Sequence, residues 1–199
     1  PPTLGAAQTA SGTEAPGTHV CLASRQHGRW DPQAPRAGSA APTDGFSRYL
    51  LRCEPLRRPL SEPVQKVFES TFREYGLPQT IRTDNGPPFS TLAPGGLSRL
   101  AVWWIRLGIR PERIVPGRPD QNGRHERMHS TLKAEKARPP RSSWRAQQRS
   151  FQAFRQEYNH ERPHEALAYA TPASQYQSSL RPYPRQLPHP EYPAHFRIE

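Results

Sequence analysis

GLPQTIRTDNGPPF, residues 76–89, reads as a short strand running into a polar turn. Ile81 lies between threonines in a β-compatible run, and the Asn, Gly and Pro residues behind it end that run. Asp84 therefore falls at a strand's exit. Upstream, Ser61 is placed to cap a helix with Glu62 and Pro63 in its first turn. Val64, Val67, Phe68 and Tyr75 then recur at helical spacing until Gly76 stops the run. Further back, FSRYLLRC (46–53) mixes aromatic and aliphatic residues between the turn-like TDG and a proline, which predicts a partly buried strand. Downstream, Leu97, Leu100, Ala101, Trp104 and Leu107 mark a second helix closed by Gly108. Trp103 and Trp104 sit within its apolar stripe and read as core rather than as platforms for bases. An extended piece through Ile114 and Val115 precedes the loop PGRPDQNG (116–123), after which RHERMHSTLKAEKA (124–137) is rich in helix formers. Strands alternating with helices indicate an α/β domain.

Composition sets the frame around this core. The 199 residues include 25 Pro and 13 Gly, and 33% are hydrophobic. That leaves material for one modest domain of roughly 100–150 residues with loop-rich flanks. Lys and Arg outnumber Asp and Glu by 28 to 17, for a net charge of +11 and a pI near 10.5. Such an excess favours a polyanionic partner. No apolar run approaches the roughly 20 residues of a bilayer crossing, and no basic start leads into an apolar signal core. A soluble intracellular protein without a membrane partner is the expectation. Cys21 and Cys53 form no CxxC pair, so neither a disulfide framework nor a cysteine-based zinc site is indicated. His125, His129, His160 and His164 show four-residue spacings, but no third-ligand motif accompanies them.

The flanks differ in character. Residues 1–42 are rich in Ala, Gly, Pro, Ser and Thr without sustained periodicity, which reads as a low-complexity, disordered or frameshifted arm. In the C-terminal third, Trp144, Gln148, Phe151, Phe154 and Tyr158 fall close to one helical face among many Arg and Gln residues. A packed helix with a solvated back and a helix touching DNA phosphates both fit that pattern. The expected boundaries are an arm over 1–42, a catalytic core over 43–140, a helical extension over 141–178 and a proline-rich tail over 179–199.

Two acids stand out by their settings, Asp84 after a strand and Glu126 near the start of a helix. Carboxylates at element ends can converge, and phosphodiester chemistry commonly uses hard divalent ions held by carboxylates and water. Taken singly, Asp84 reads as a turn residue and Glu126 as an exposed helix acid.

The surrounding stretches change that reading. GLPQTIRTDNGPPF, PGRPDQNGRHERMHSTLK (116–133) and YNHERPHEALAYATP (158–172) resemble, in order, the DDE-type, retroviral-integrase-like catalytic core of bacterial insertion-sequence transposases. The resemblance runs over roughly residues 43–177. It implies an RNase H-like mixed sheet flanked by helices, with a C-terminal helical extension in which His164 packs as part of RPHEAL. It also implies a triad of catalytic, metal-binding acids, in which Asp84 matches the second and Glu126 the last, with Mg²⁺ or Mn²⁺ as cofactor. Asn122 matches the loop before the glutamate helix, and Arg124, His129 and Lys133 lie on the helix expected to face DNA. Lys133 follows Glu126 by about two turns and so shares its face. The implied partners are DNA, as element ends and target, and further copies of the chain, in the bacterial cytoplasm at the nucleoid.

One part of the pattern is missing. The first acid of the triad belongs on the opening strand, in register near Ser24, and no acid is there. Asp31 comes too late, and Asp44 belongs to the matching stretch TDGFSRYLL (43–51), where it reads as a turn acid; both are weak candidates. The first strand is therefore expected to be missing or degenerate. The function expected is metal-dependent DNA strand cleavage and transfer, impaired in this chain, the alternative being an inactive DNA-binding remnant.

Overall fold

The computed structural model describes residues 19–22, 38–58, 60–91, 96–115, 123–137 and 141–187, with the backbone course alone for 19–22, 38, 123–126 and 137. Its elements in chain order are β1 (His19–Leu22), β2 (Gly38–Ala40), β3 (Glu54–Leu56), α1 (Ser61–Tyr75), β4 (Thr80–Thr83), α2 (Arg99–Arg106), β5 (Arg110–Arg113), α3 (Gly123–Leu132), α4 (Trp144–His160) and α5 (Pro172–Gln175). Lys133–Ala137 prolong α3 as a wider π-helical turn, and Glu165–Leu167 form a 3₁₀ turn. No helix among the described residues is long and apolar enough to cross a membrane.

β4 is the middle strand of a three-stranded sheet ordered β1-β4-β5, parallel to both neighbours. Thr80, Ile81 and Thr83 are all buried, as expected of a strand covered on both faces. A first strand is thus present but short and without an acid, so of the two expectations, missing or degenerate, the second holds: His19 pairs with Thr80 and Leu22 with Thr83. Only four residues long, it leaves no periodic signal amid the Ala, Gly, Pro and Thr around it. Residues 1–42 are therefore not wholly an unstructured arm, since β1 and β2 both lie within them.

The stretch FSRYLLRC is a hairpin rather than one continuous strand. Gly45–Ser47 turn, Thr43 bridges antiparallel to Leu50, and β2 pairs antiparallel with β3. Arg48 adopts φ 64° in that turn. Neighbouring hairpin residues face opposite ways. Ala40, Leu51 and Leu56 enter a core with Val64, Phe68, Phe72, Ile81, Leu100 and Trp104, whereas Ala41, Leu50 and Cys53 join Met128, Leu132, Phe151, Phe154 and Tyr158. The opposite facings of the adjacent pairs Ala40/Ala41 and Leu50/Leu51 thus make the hairpin a wall shared by two cores.

α1 covers the first core with Val64, Val67, Phe68 and Phe72. Its cap is Leu60 without a side-chain bond, so Ser61 opens the helix instead of capping it. α2 is capped by Ser98, whose side chain accepts from the Ala101 amide at 3.2 Å. Trp103 and Trp104 are core residues, Trp104 meeting Phe68 edge to face at 5.1 Å. α4 buries Gln147, Phe151, Phe154, Tyr158 and Asn159, while Trp144 is 38% exposed and Gln148 reaches Glu54. The burying stripe is therefore rotated from the expected face toward Gln147 and Asn159.

The segment expected to be a proline-rich tail is docked through its first part. Ser179 donates its amide to Tyr75 O at 2.9 Å, and the Leu77 amide donates to Arg181 O at 2.7 Å. Tyr176 stacks on Tyr49 at 4.3 Å, and Tyr183 lies over Phe72 and under the Arg73 guanidinium. The Arg181 guanidinium reaches the carbonyls of Pro78, Leu107 and Gly108. Residues 176–183 form a strap across the entrance of β4 and the turn between α2 and β5. Pro-rich composition hid this because the contacts are made by backbone groups and single aromatic rings, without periodicity.

Candidate active site

Asp84 follows β4 directly, at the carboxyl end of the central parallel strand, where ligands of open α/β sheets bind. The half-buried side chain turns back on its loop, Oδ1 accepting the Gly86 amide at 3.0 Å. Asn85 Nδ2 donates to Ile114 O at 2.9 Å, and the Ile114 amide donates to Thr83 O at 3.1 Å, tying the exits of β4 and β5 together. Phe89 anchors the loop from below, buried and stacked on Trp104 with centroids 6.1 Å apart. The loop carrying Asp84 is thereby fixed to both the sheet and the core.

Glu126 lies in the first turn of α3, where the backbone course alone is described. Met128 and Leu132 bury the opposite side of that helix in the second core. Lys133, half-buried at the start of the π turn, stays within about 20° of Glu126 around the helix axis. Arg124 is also in the first turn, with its side chain outside the described residues, and Asn122 lies wholly outside them.

His129 departs from expectation. It is 4% exposed rather than DNA-facing, because its position on α3 falls beside the apolar side of Met128 and Leu132. Burial, with Lys133 adding like charge, lowers its pKa to about 4 and keeps the ring neutral. Asp44 is also committed elsewhere: its buried Oδ2 accepts the Ser47 amide at 2.7 Å and the Ser47 hydroxyl at 2.6 Å. It holds the hairpin turn, so it is withdrawn as a candidate for the first acid. Asp31 and Ser24 lie outside the described residues.

Carboxylate oxygens suit a hard divalent cation, and Asp84 supplies one at the strand exit. Among the described residues no three His, Cys, Asp or Glu side chains group as metal ligands. β1, alongside β4, carries His19, Val20, Cys21 and Leu22, none of them acidic. β1 thus brings no acid beside Asp84 at this end of the sheet.

Asn159 and Arg162, which hold this arrangement, escaped the sequence reading, whereas packing of His164 was expected. Asn159, fully buried on α4, donates Nδ2–H to Leu50 O at 3.0 Å and accepts the Leu50 amide at 2.8 Å. Arg162 pairs with Glu157 and Glu135 and lies over Phe154, joining the end of α4 to the π turn. His164 meets Tyr158 edge to face at 4.7 Å, and its pKa is lowered chiefly by burial. All three sit in or beside YNHERPHEALAYATP, so that motif packs α4 against the hairpin and against the continuation of α3.

Residues 107–172 match the integrase core domain family. Over that stretch, a third of its length, the chain is similar to integrase cores. Over 111 residues, 55% of its length, it is 32% identical to the insertion element IS407 uncharacterized 31.7 kDa protein of Burkholderia multivorans, covering 38% of that protein. A 91-residue stretch, 45% of the chain, is 38% identical to the Gag-Pol polyprotein of baboon endogenous virus and covers 5% of it. The chain spans less than two fifths of each of these two relatives. In structure, the HTLV-2 integrase catalytic core domain in complex with magnesium aligns at a TM-score of 0.56 and 14% identity, covering 80% of this chain and 95% of that one. At that identity the likeness shows the fold alone, the RNase H-like fold of integrase catalytic cores.

Proposed function

We propose that this chain is the DNA-acting core of an insertion-element transposase, weakened in its chemistry. The observation that carries the reading is Asp84 at the exit of the central parallel strand, on a loop pinned to β5 and to Trp104. Asp84 and Glu126 would together hold one Mg²⁺ or Mn²⁺. When bound, such an ion activates an attacking water or DNA 3′-hydroxyl and steadies the charge on phosphate. Arg124 and Lys133, with Asn122 in the preceding loop, are the residues assigned to DNA beside Glu126. Active assemblies are taken to contain more than one copy of the chain.

The acid-free β1 favours a second reading, a DNA-binding remnant without strand-transfer activity. Losing a fixed charge at a phosphoryl-transfer site typically costs orders of magnitude in rate. The two readings separate in one assay, strand transfer on labelled element ends by the chain, its Glu126→Gln variant and a form with an Asp restored on the first strand. Activity in Mg²⁺ from the restored form alone is expected. Robust activity from the unaltered chain, abolished by Glu126→Gln, would mean that another acid completes the set. Salt titration tests the underlying binding: affinity for duplex DNA should fall steeply as phosphate contacts are screened.

A further inference from the structure

The start of α4 and the end of β3 bring arginines together on elements that carry neither Asp84 nor Glu126. Arg141, Arg145 and Arg149 are exposed at successive four-residue intervals, so Arg145 and Arg149 lie one turn, about 6 Å, apart along the helix. Arg57 and Arg58, also exposed, leave β3 beside the first turn of α4, and the Arg57 guanidinium lies over the Trp144 ring at 5.2 Å. The same two elements are joined by Gln148 and Gln152, whose side-chain amides reach the Glu54 carboxylate. Among the described residues none of these five arginines is paired with a carboxylate. Glu54 is engaged by Arg52 and the two glutamines, and the first turn of α4 contains no acid. Like charges held this close on rigid elements repel one another unless an anion lies against them.

We infer that Arg57, Arg58, Arg141, Arg145 and Arg149 form a second DNA-contact surface that grips the phosphate backbone of duplex DNA through elements other than those carrying Asp84 and Glu126. The chemistry favours duplex over single strand, because Arg57 already occupies one face of Trp144, a ring that would otherwise serve an unstacked base, and the five guanidiniums all suit phosphate. Guanidinium forks suit phosphate oxygens and carry no sequence information, so contact here would be sequence-tolerant. The inference rests on the DNA-acting reading above, which supplies the duplex.

The test measures binding of the full chain to a labelled random-sequence duplex between about 50 and 200 mM salt. Arg145→Glu/Arg149→Glu is compared with Arg145→Lys/Arg149→Lys and with Arg99→Glu, a single charge reversal on exposed α2. All these positions are exposed, so melting temperatures should match the parent and report intact folding. The double reversal is expected to weaken binding about tenfold or more and to reduce the slope of log affinity against log salt by about 2, roughly one per lost phosphate contact. The lysine pair should keep most of the affinity, and Arg99→Glu should change it little. An effect of the double reversal no larger than that of Arg99→Glu would overturn the patch while leaving DNA action intact. Failure of the parent chain to bind duplex at low salt would overturn the DNA-acting reading itself. Stronger binding to single-stranded RNA or to anionic phospholipid vesicles than to duplex would assign the surface to another partner and overturn the inference.

Discussion

Asn159 presents its amide to both backbone groups of Leu50, a residue 109 positions earlier in the chain. In a dry setting each half of that bond pair matters, since removing the side chain leaves a buried N–H and C=O unsatisfied. Asn159→Ala should therefore lose about 2–4 kcal/mol in chemical denaturation. Asn159→Asp, which keeps an acceptor but no donor, should fare no better. His129 gives a prediction in pH. Its pKa in the fold is about 4 against an ordinary 6.5, so the unfolded chain takes up a proton first as pH falls. The stability it contributes is complete above about 6.5 and declines down to about 4, by about 3 kcal/mol in all. Unfolding measured across that range should show this loss, and His129→Gln should flatten it. Neither role was legible in the sequence. Asn159 stands in a stretch whose resemblance is visible, but its bonding partner is set by packing; His129 was read from its nearness to Glu126, whereas its angular position beside Met128 and Leu132 governs its burial.

Elements with strong periodicity and punctuation were legible: α1 between Ser61 and Gly76, β4 before Asp84, and α2 ahead of Gly108. β1 was not, because four residues carry no period and their partner strand lies some 60 positions away. The strap was missed for the same kind of reason, since carbonyl oxygens, not side-chain patterns, receive Arg181. Its dependence on Gly76 is testable. Gly76 has φ 81° and ψ 175°, and a Cβ there would meet Ser179 O at 2.5 Å and Arg181 O at 2.9 Å. Gly76→Ala must accept a backbone strain of about 1–3 kcal/mol and also push the strap away. Faster tryptic cleavage after Arg185, just past the strap, together with a lowered melting temperature, is the expected result.

Over the whole molecule, the hairpin wall decides how the two cores communicate. Leu50 faces one and Leu51 the other, both essentially buried. Leu50→Ala and Leu51→Ala should each cost about 2–5 kcal/mol. Because the wall belongs to both cores, hydrogen exchange at α1 and at α4 should still report one shared transition in either variant. Separate midpoints would show that the cores unfold independently. The strap has a further consequence, in time. The Arg181 guanidinium and the carbonyl of Pro78 are separated by 103 positions, an interval that a ribosome takes about 5–20 s to cross. From the addition of Arg113 until that of Arg181 the nascent chain holds β4, α2 and β5, yet lacks the residue that fastens their entrance. Ribosome-bound chains arrested before Arg181 should therefore be more open to chymotrypsin after Tyr75 than chains arrested well after it.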